Sequence, residues 1–127
     1  MSEDKRLYTR LHAWVRTGAE NGGKEIGLSG YAIEKLEGVV YLAFEVKEGD
    51  EIKIGDIIAS VESTKTTDAP YSPVNGVVRT VARHVETDPK CLEGCDGDMT
   101  LAVIGLCGQP PEGLMSREDY DKYTEGL

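Results

Sequence analysis

Lys65 lies in the segment Glu62-Ser63-Thr64-Lys65-Thr66-Thr67, which is polar at every position and bounded by two runs with strand character. Before it, Asp56-Ile57-Ile58-Ala59-Ser60-Val61 is largely apolar and β-branched. After it, Thr67 to Tyr71 leads into a second turn, Ser72-Pro73-Val74-Asn75-Gly76. The spacing predicts a hairpin over residues 56–71 with an amine at its tip, where an enzyme can reach it and modify it. On position alone the plainer reading is a solubilising charge, as most exposed lysines are.

The elements that must hold such a tip are short. Leu7 to Arg16 reads as a first strand, ending in a polar turn from Thr17 to Gly23, and Lys24 to Leu28 reads as a second. Ser29 can cap a short helix through Tyr31-Ala32-Ile33-Glu34-Lys35-Leu36, and Gly38 lets the chain turn out of it. Val39-Val40-Tyr41-Leu42-Ala43-Phe44 is the most hydrophobic run and reads as a buried strand. Glu51-Ile52-Lys53-Ile54 alternates with period two, Gly76 to Ala82 forms another strand, and Met99 to Ile104 the last. The turn-to-strand units Glu48-Gly49-Asp50-Glu51-Ile52 and Val74-Asn75-Gly76-Val77-Val78 echo one another, with Lys65 midway between them. Arg83 to Gly97 reads as an irregular loop. Ser116, with Asp119 three residues on, starts a terminal helix over Arg117–Glu125, whose Tyr120 and Tyr123 can dock on a sheet. Short strands at this spacing predict a mainly β sandwich or barrel.

Length and charge narrow the partners. The 127 residues make one compact domain, expected to be a monomer spanning 1–127. With 14 basic against 23 acidic side chains the net charge is −9, which opposes binding to nucleic acid or to anionic membrane. Met1-Ser2-Glu3-Asp4-Lys5-Arg6 has no apolar run behind it, so no signal peptide or membrane span is expected and the default location is cytoplasmic. Three cysteines are an odd number and read as reduced thiols. The two histidines, His12 and His84, have no clustered Asp and nucleophile pattern beside them, which argues against an autonomous enzyme.

Glu62-Ser63-Thr64-Lys65 followed at fixed spacing by Pro73-Val74-Asn75-Gly76 resembles the glycine cleavage system H protein family, which carries lipoic acid on the lysine of an E-S-x-K motif. The resemblance extends through His12-x-Trp14, Gly27-Leu28-Ser29-Gly30-Tyr31-Ala32 and Gly38-Val39-Val40-Tyr41, in register over residues 7–82. It implies a barrel-sandwich hybrid with a short internal helix and a C-terminal helix at about 116–125. It also implies lipoate on Lys65, attached by a lipoate ligase or a lipoyl/octanoyl transferase that reads the hairpin. Glu62 is then a recognition handle for that enzyme, with Ser63 and Thr64 completing the motif. Dihydrolipoamide dehydrogenase and the pathway enzymes using the arm are the implied partners. Thr64 and Thr66, where biotin carriers have methionines, favour lipoate over biotin.

Some positions depart from the family pattern. A carried aminomethyl group is cationic and calls for a carboxylate nearby. The family commonly has an acid directly after the His of the first-strand motif and an aspartate four residues after the lysine; here these are Ala13 and Ala69. Asp68 is displaced by one residue, which in a strand predicts the opposite face, and Leu11 precedes His12. On these residues the amine shelter reads as dismantled. The leading expectation is a lipoyl carrier for sulfur or electron transfer, as in heterodisulfide-reductase-like sulfur oxidation or a lipoyl relay. Glycine cleavage is the alternative, and an unmodified scaffold a further one. Cys91 and Cys95 stand as incidental thiols, a redox pair able to exchange with the arm, or with His84 a metal site; no metal is expected, since no second ligand pair accompanies them. Cys107 reads as a small buried hydrophobe.

Overall fold

A computed structural model describes residues 6–17, 23–95, 97, 99–105 and 113–127, with the side chains of residues 94 and 95 excepted. Two sheets carry the architecture. The larger is built from β1 (Leu7–Tyr8), β2 (Ala13–Thr17), β3 (Lys24–Leu28), β5 (Glu51–Ile52), β8 (Gly76–Val81) and β9 (Ala102–Gly105), in the order β1-β2-β3-β9-β8-β5. The smaller has the order β4-β6-β7, from β4 (Val39–Phe44), β6 (Ala59–Ser63) and β7 (Thr67–Asp68). The strand pairings among the described residues are antiparallel, so a short turn suffices to connect β6 and β7. The described residues also form the helices α1 (Gly30–Leu36), α2 (His84–Thr87) and α3 (Arg117–Glu125). No helix among the described residues is long and apolar enough to cross a membrane.

The expected mainly β fold, with one internal and one terminal helix, is present. Ser29 caps α1 by accepting from the Ala32 amide at 3.2 Å, and Ser116 caps α3 by accepting from the Asp119 amide at 3.2 Å. The predicted first strand is instead two. Leu7–Tyr8 and Ala13–Thr17 pair with each other, and the chain reverses between them through His12 at φ 72. The apolar and β-branched content of Leu7 to Arg16 suits either arrangement, and only pairing across the turn decides it. The loop expected over Arg83–Gly97 contains α2 and a 3-10 segment at Pro89–Cys95, because Val85 and Leu92 are buried and anchor it. The two echoing turn-to-strand units pair with each other, Glu51 opposite Val77 and Ile52 opposite Gly76. They therefore sit together in the larger sheet, while the lysine hairpin between them belongs to the smaller one.

The interior has two aliphatic clusters and one aromatic one. Leu28, Leu36, Val39, Leu42, Val61, Val85 and Leu101 form one cluster, which joins α1 and α2 to both sheets. Ile26, Ile52, Ile58, Val74, Val78 and Ile104 fill the other half, and the partly buried Phe44 touches both clusters. Tyr8, Trp14 and Tyr120 form the third, where α3 docks; Tyr8 and Tyr120 stack with centroids 4.5 Å apart. Trp14 is fully buried, and its indole N–H donates to the carbonyls of Leu28 at 3.1 Å and Gly97 at 2.8 Å.

That indole leaves no room beside Gly27, where an added Cβ would fall 2.5 Å from both Trp14 Cζ2 and the Met99 carbonyl oxygen. Neither a buried indole nor a backbone carbonyl can yield cheaply. Gly27→Ala should therefore destabilise the fold by about 3 kcal/mol, the upper end of overpacking costs, read as a lower urea midpoint.

Candidate functional site

The tip is a four-residue turn closed by Ser63. The Ser63 amide donates to the Thr66 carbonyl at 2.8 Å, and its hydroxyl donates to the same oxygen at 2.9 Å. That hydroxyl also accepts from the amides of Thr66 at 3.0 Å and Lys65 at 3.3 Å. One side chain thus satisfies the polar backbone of an exposed turn. Lys65 projects from it with 67% of its side chain exposed. In the strands below, Val61 faces Asp68 and Glu62 faces Thr67; Val61 is buried in the core while Glu62 and Thr67 are exposed. Glu62 is therefore on the outer face, also opposite Tyr41 of β4.

Thr64 ties the turn to the end of α1. Its hydroxyl donates to the Glu37 carbonyl at 2.7 Å, and its amide donates to the Gly38 carbonyl at 3.3 Å. To offer those carbonyls the chain leaves α1 through two left-handed residues, Glu37 at φ 47 and Gly38 at φ 89. Glycine accepts such a backbone readily, and glutamate does so at a cost. The Glu37 side chain reaches Lys65, with Oε2 2.5 Å from Nζ. This contact holds the Glu37 carboxyl below the usual carboxylate range. Tyr31, Glu34, Lys35, Glu37 and Lys65 line a cleft of about 410 Å³ that runs from the lysine along α1.

At the far side of α1 lies a polar node. The Tyr120 hydroxyl is 2.7 Å from His12 Nδ1 and 2.7 Å from the Ser29 hydroxyl, so the hydroxyl capping α1 is also fastened to α3 and to the first hairpin. The His12 ring lies against Tyr31, with centroids 4.8 Å apart. Burial pushes the His12 imidazole below its ordinary value; the Asp68 carboxylate opposes this and the Lys35 ammonium reinforces it. Burial likewise pushes the Tyr120 hydroxyl up to about 12.

Asp68 is opposite Val61 in the β6–β7 pair and half-buried, and its carboxylate accepts from the Ala69 amide at 2.8 Å and bears on His12. Ala13 is fully buried in β2, and Leu11 is 56% exposed. Neither Ala13 nor Ala69 supplies a carboxylate.

Residues 6–126 match the family model described as glycine cleavage H-protein. The chain belongs to the glycine cleavage H-protein family. It is 32% identical over 120 residues to a probable glycine cleavage system H protein of Picrophilus torridus, covering 94% of each chain. With a glycine cleavage system H protein of Listeria monocytogenes it shares 34% over 122 residues, again 94% of each. Glycine cleavage system H protein 4 of Aquifex aeolicus is 32% identical over 124 residues, 96% of this chain and 71% of that one. The fold matches a crystal structure of a glycine cleavage system H protein from Mycobacterium marinum with TM-score 0.80 at 23% identity, over 99% of this chain and 100% of the other. The barrel-sandwich expectation stands on that match, and the family's proteins are carriers.

Ser63, Thr64 and Lys65 share the turn, and Glu62 stands beside it near the end of β6. Sequence reading missed Glu37, whose only local signal is an acidic residue immediately before Gly38 at a helix end. It also missed the node of His12, Ser29 and Tyr120, which joins residues 91 and 108 positions apart. Cys91 is half-buried against the α1 cluster. Cys107 and the side chain of Cys95 lie outside the described residues. His84 opens α2 on the exposed surface, and no group of three potential metal ligands occurs among the described residues.

The depressed imidazole has a thermodynamic consequence. The unfolded chain takes up a proton near 6.5 and the native His12 does so lower, so stability is present above that pH and is lost as the pH falls through the native value. Asparagine tolerates the left-handed backbone at this position. His12→Asn should lower stability overall but flatten its fall below 6.5, measured by urea denaturation across that range.

Proposed function

We propose that this protein is a lipoyl carrier of the glycine cleavage type, with lipoate in amide linkage to Lys65 of the E-S-x-K turn. The observation that carries the reading is an exposed lysine on a turn braced by Ser63 and Thr64, within a chain of this family. The residues present suit the group. The amine is accessible, the turn beneath it is held to α1, and the cleft beyond it can receive an extended chain. Lipoate supplies a dithiolane that accepts a carried group and electrons; the protein supplies presentation and shelter. A tethered arm also keeps its cargo at high effective concentration for each partner.

Glu62, on the outer face beside the turn, is the proposed handle for the lipoate ligase or the lipoyl/octanoyl transferase. Dihydrolipoamide dehydrogenase, glycine decarboxylase and aminomethyltransferase are the proposed partners. Glycine cleavage is better supported than sulfur or electron relay, because the matching family model and the similar curated proteins are glycine cleavage H proteins over most of their length. We assign to Asp68 the pairing with the cationic amine of the carried group.

Intact-protein mass after expression with a lipoylating system should show one added lipoyl group, absent from Lys65→Arg. The lipoylated protein should support glycine decarboxylation with its standard partners. Full lipoylation without that support would move the protein to the relay reading, and no mass gain would leave the unmodified scaffold. Asp68→Asn should keep the mass gain and lower glycine turnover about tenfold, the scale of one charge-assisted hydrogen bond.

A further inference from the structure

We propose that Glu37 is a clamp on unmodified Lys65: it withholds the amine from acylation until displaced, and acylation itself dissolves the clamp. This rests on the reading of Lys65 as the acylation site. Two features single out Glu37 from the other carboxylates near α1. It is one of only two non-glycine residues at positive φ among the described residues, so its backbone is held in a conformation unfavourable to it. That conformation serves two contacts at once, its carbonyl accepting from Thr64 and its carboxylate meeting the Lys65 ammonium. The turn and the end of α1 are thus joined by a backbone link and a charge link.

The charge link bears on reactivity. Acylation requires a lone pair on Nζ to attack an activated carbonyl. The N–C bond forms, the bond from that carbon to its leaving group breaks, and the ammonium gives up two protons to base. While Nζ is held against Glu37 the carboxylate occupies one approach to it, so the rate depends on how often the contact opens. The amide product is neutral and retains a single N–H. It no longer holds the carboxylate by charge, and the arm is released from α1 by the reaction that creates it. The Thr64 link uses the Glu37 backbone, so removing the carboxylate leaves the turn braced.

An activated acyl ester tests the clamp without any modifying enzyme. The wild-type chain, Glu37→Gln and Glu37→Gly are each treated with an acetyl N-hydroxysuccinimide ester, which transfers acetyl to Nζ and releases N-hydroxysuccinimide. Peptide mass spectrometry then gives the rate at Lys65 relative to the exposed Lys53. Glycine suits the positive φ, so the second variant separates loss of the carboxylate from backbone strain. Both variants should raise the ratio about two- to fivefold at low salt, the range of an exposed ion pair. The gain should shrink near 1 M salt, where the screening length falls to about 3 Å. An unchanged or lowered ratio in both variants overturns the proposal. Failure of the lipoylating system to add mass to the wild-type chain would instead remove the carrier reading, with the chemical result standing on its own.

Discussion

A lysine can carry cargo between enzymes only if the turn beneath it is fixed while the side chain stays free. Here that constraint is met by Thr64, whose hydroxyl and amide both reach the carbonyls at the end of α1. The two carbonyls are available because the chain leaves the helix through the left-handed Glu37 and Gly38. β7 is only two residues long and could not by itself hold a hairpin rigid. The anchor supplies what the strand lacks.

The anchor is only as firm as α1, and α1 is seven residues long, too short to be stable alone. Its stability comes from both ends and from one face. Ala32, Ile33 and Leu36 are buried in the core, and Ser29 caps the first turn. The capping hydroxyl is shared with Tyr120, which also meets His12, so the C-terminal helix and the first hairpin brace the same point. Trp14 secures that region further through its two indole hydrogen bonds. Among the described residues no buried side-chain nitrogen or oxygen lacks a partner, as close packing around a polar node requires.

The same node bears on the proposed cargo. Loss of acidic residues at positions 13 and 69 looks, in the chain alone, like loss of the means to hold an amine. In three dimensions β7 keeps one carboxylate, Asp68, within the electrostatic reach of His12.

Much was legible in the chain because it depends on local chemistry. Ser29 and Ser116 announce helix starts, and the spacing from Glu62 to Gly76 announces the hairpin with Lys65 at its tip. The run Val39–Phe44 announces a strand, but not a buried one: only Val39 and Leu42 are buried, and Val40 and Tyr41 are exposed. Each of these needs only neighbouring residues and a period of two or of 3.6. The partners of Lys65 and His12 were not legible. Glu37 is 28 positions from Lys65, and Tyr120 is 108 from His12, so their meeting follows from how the sheets and helices pack and from no local pattern. The sequence by itself determined which amine is presented; tertiary packing decided what holds it, because ion pairs and hydrogen bonds between distant segments exist only after the core has brought those segments together.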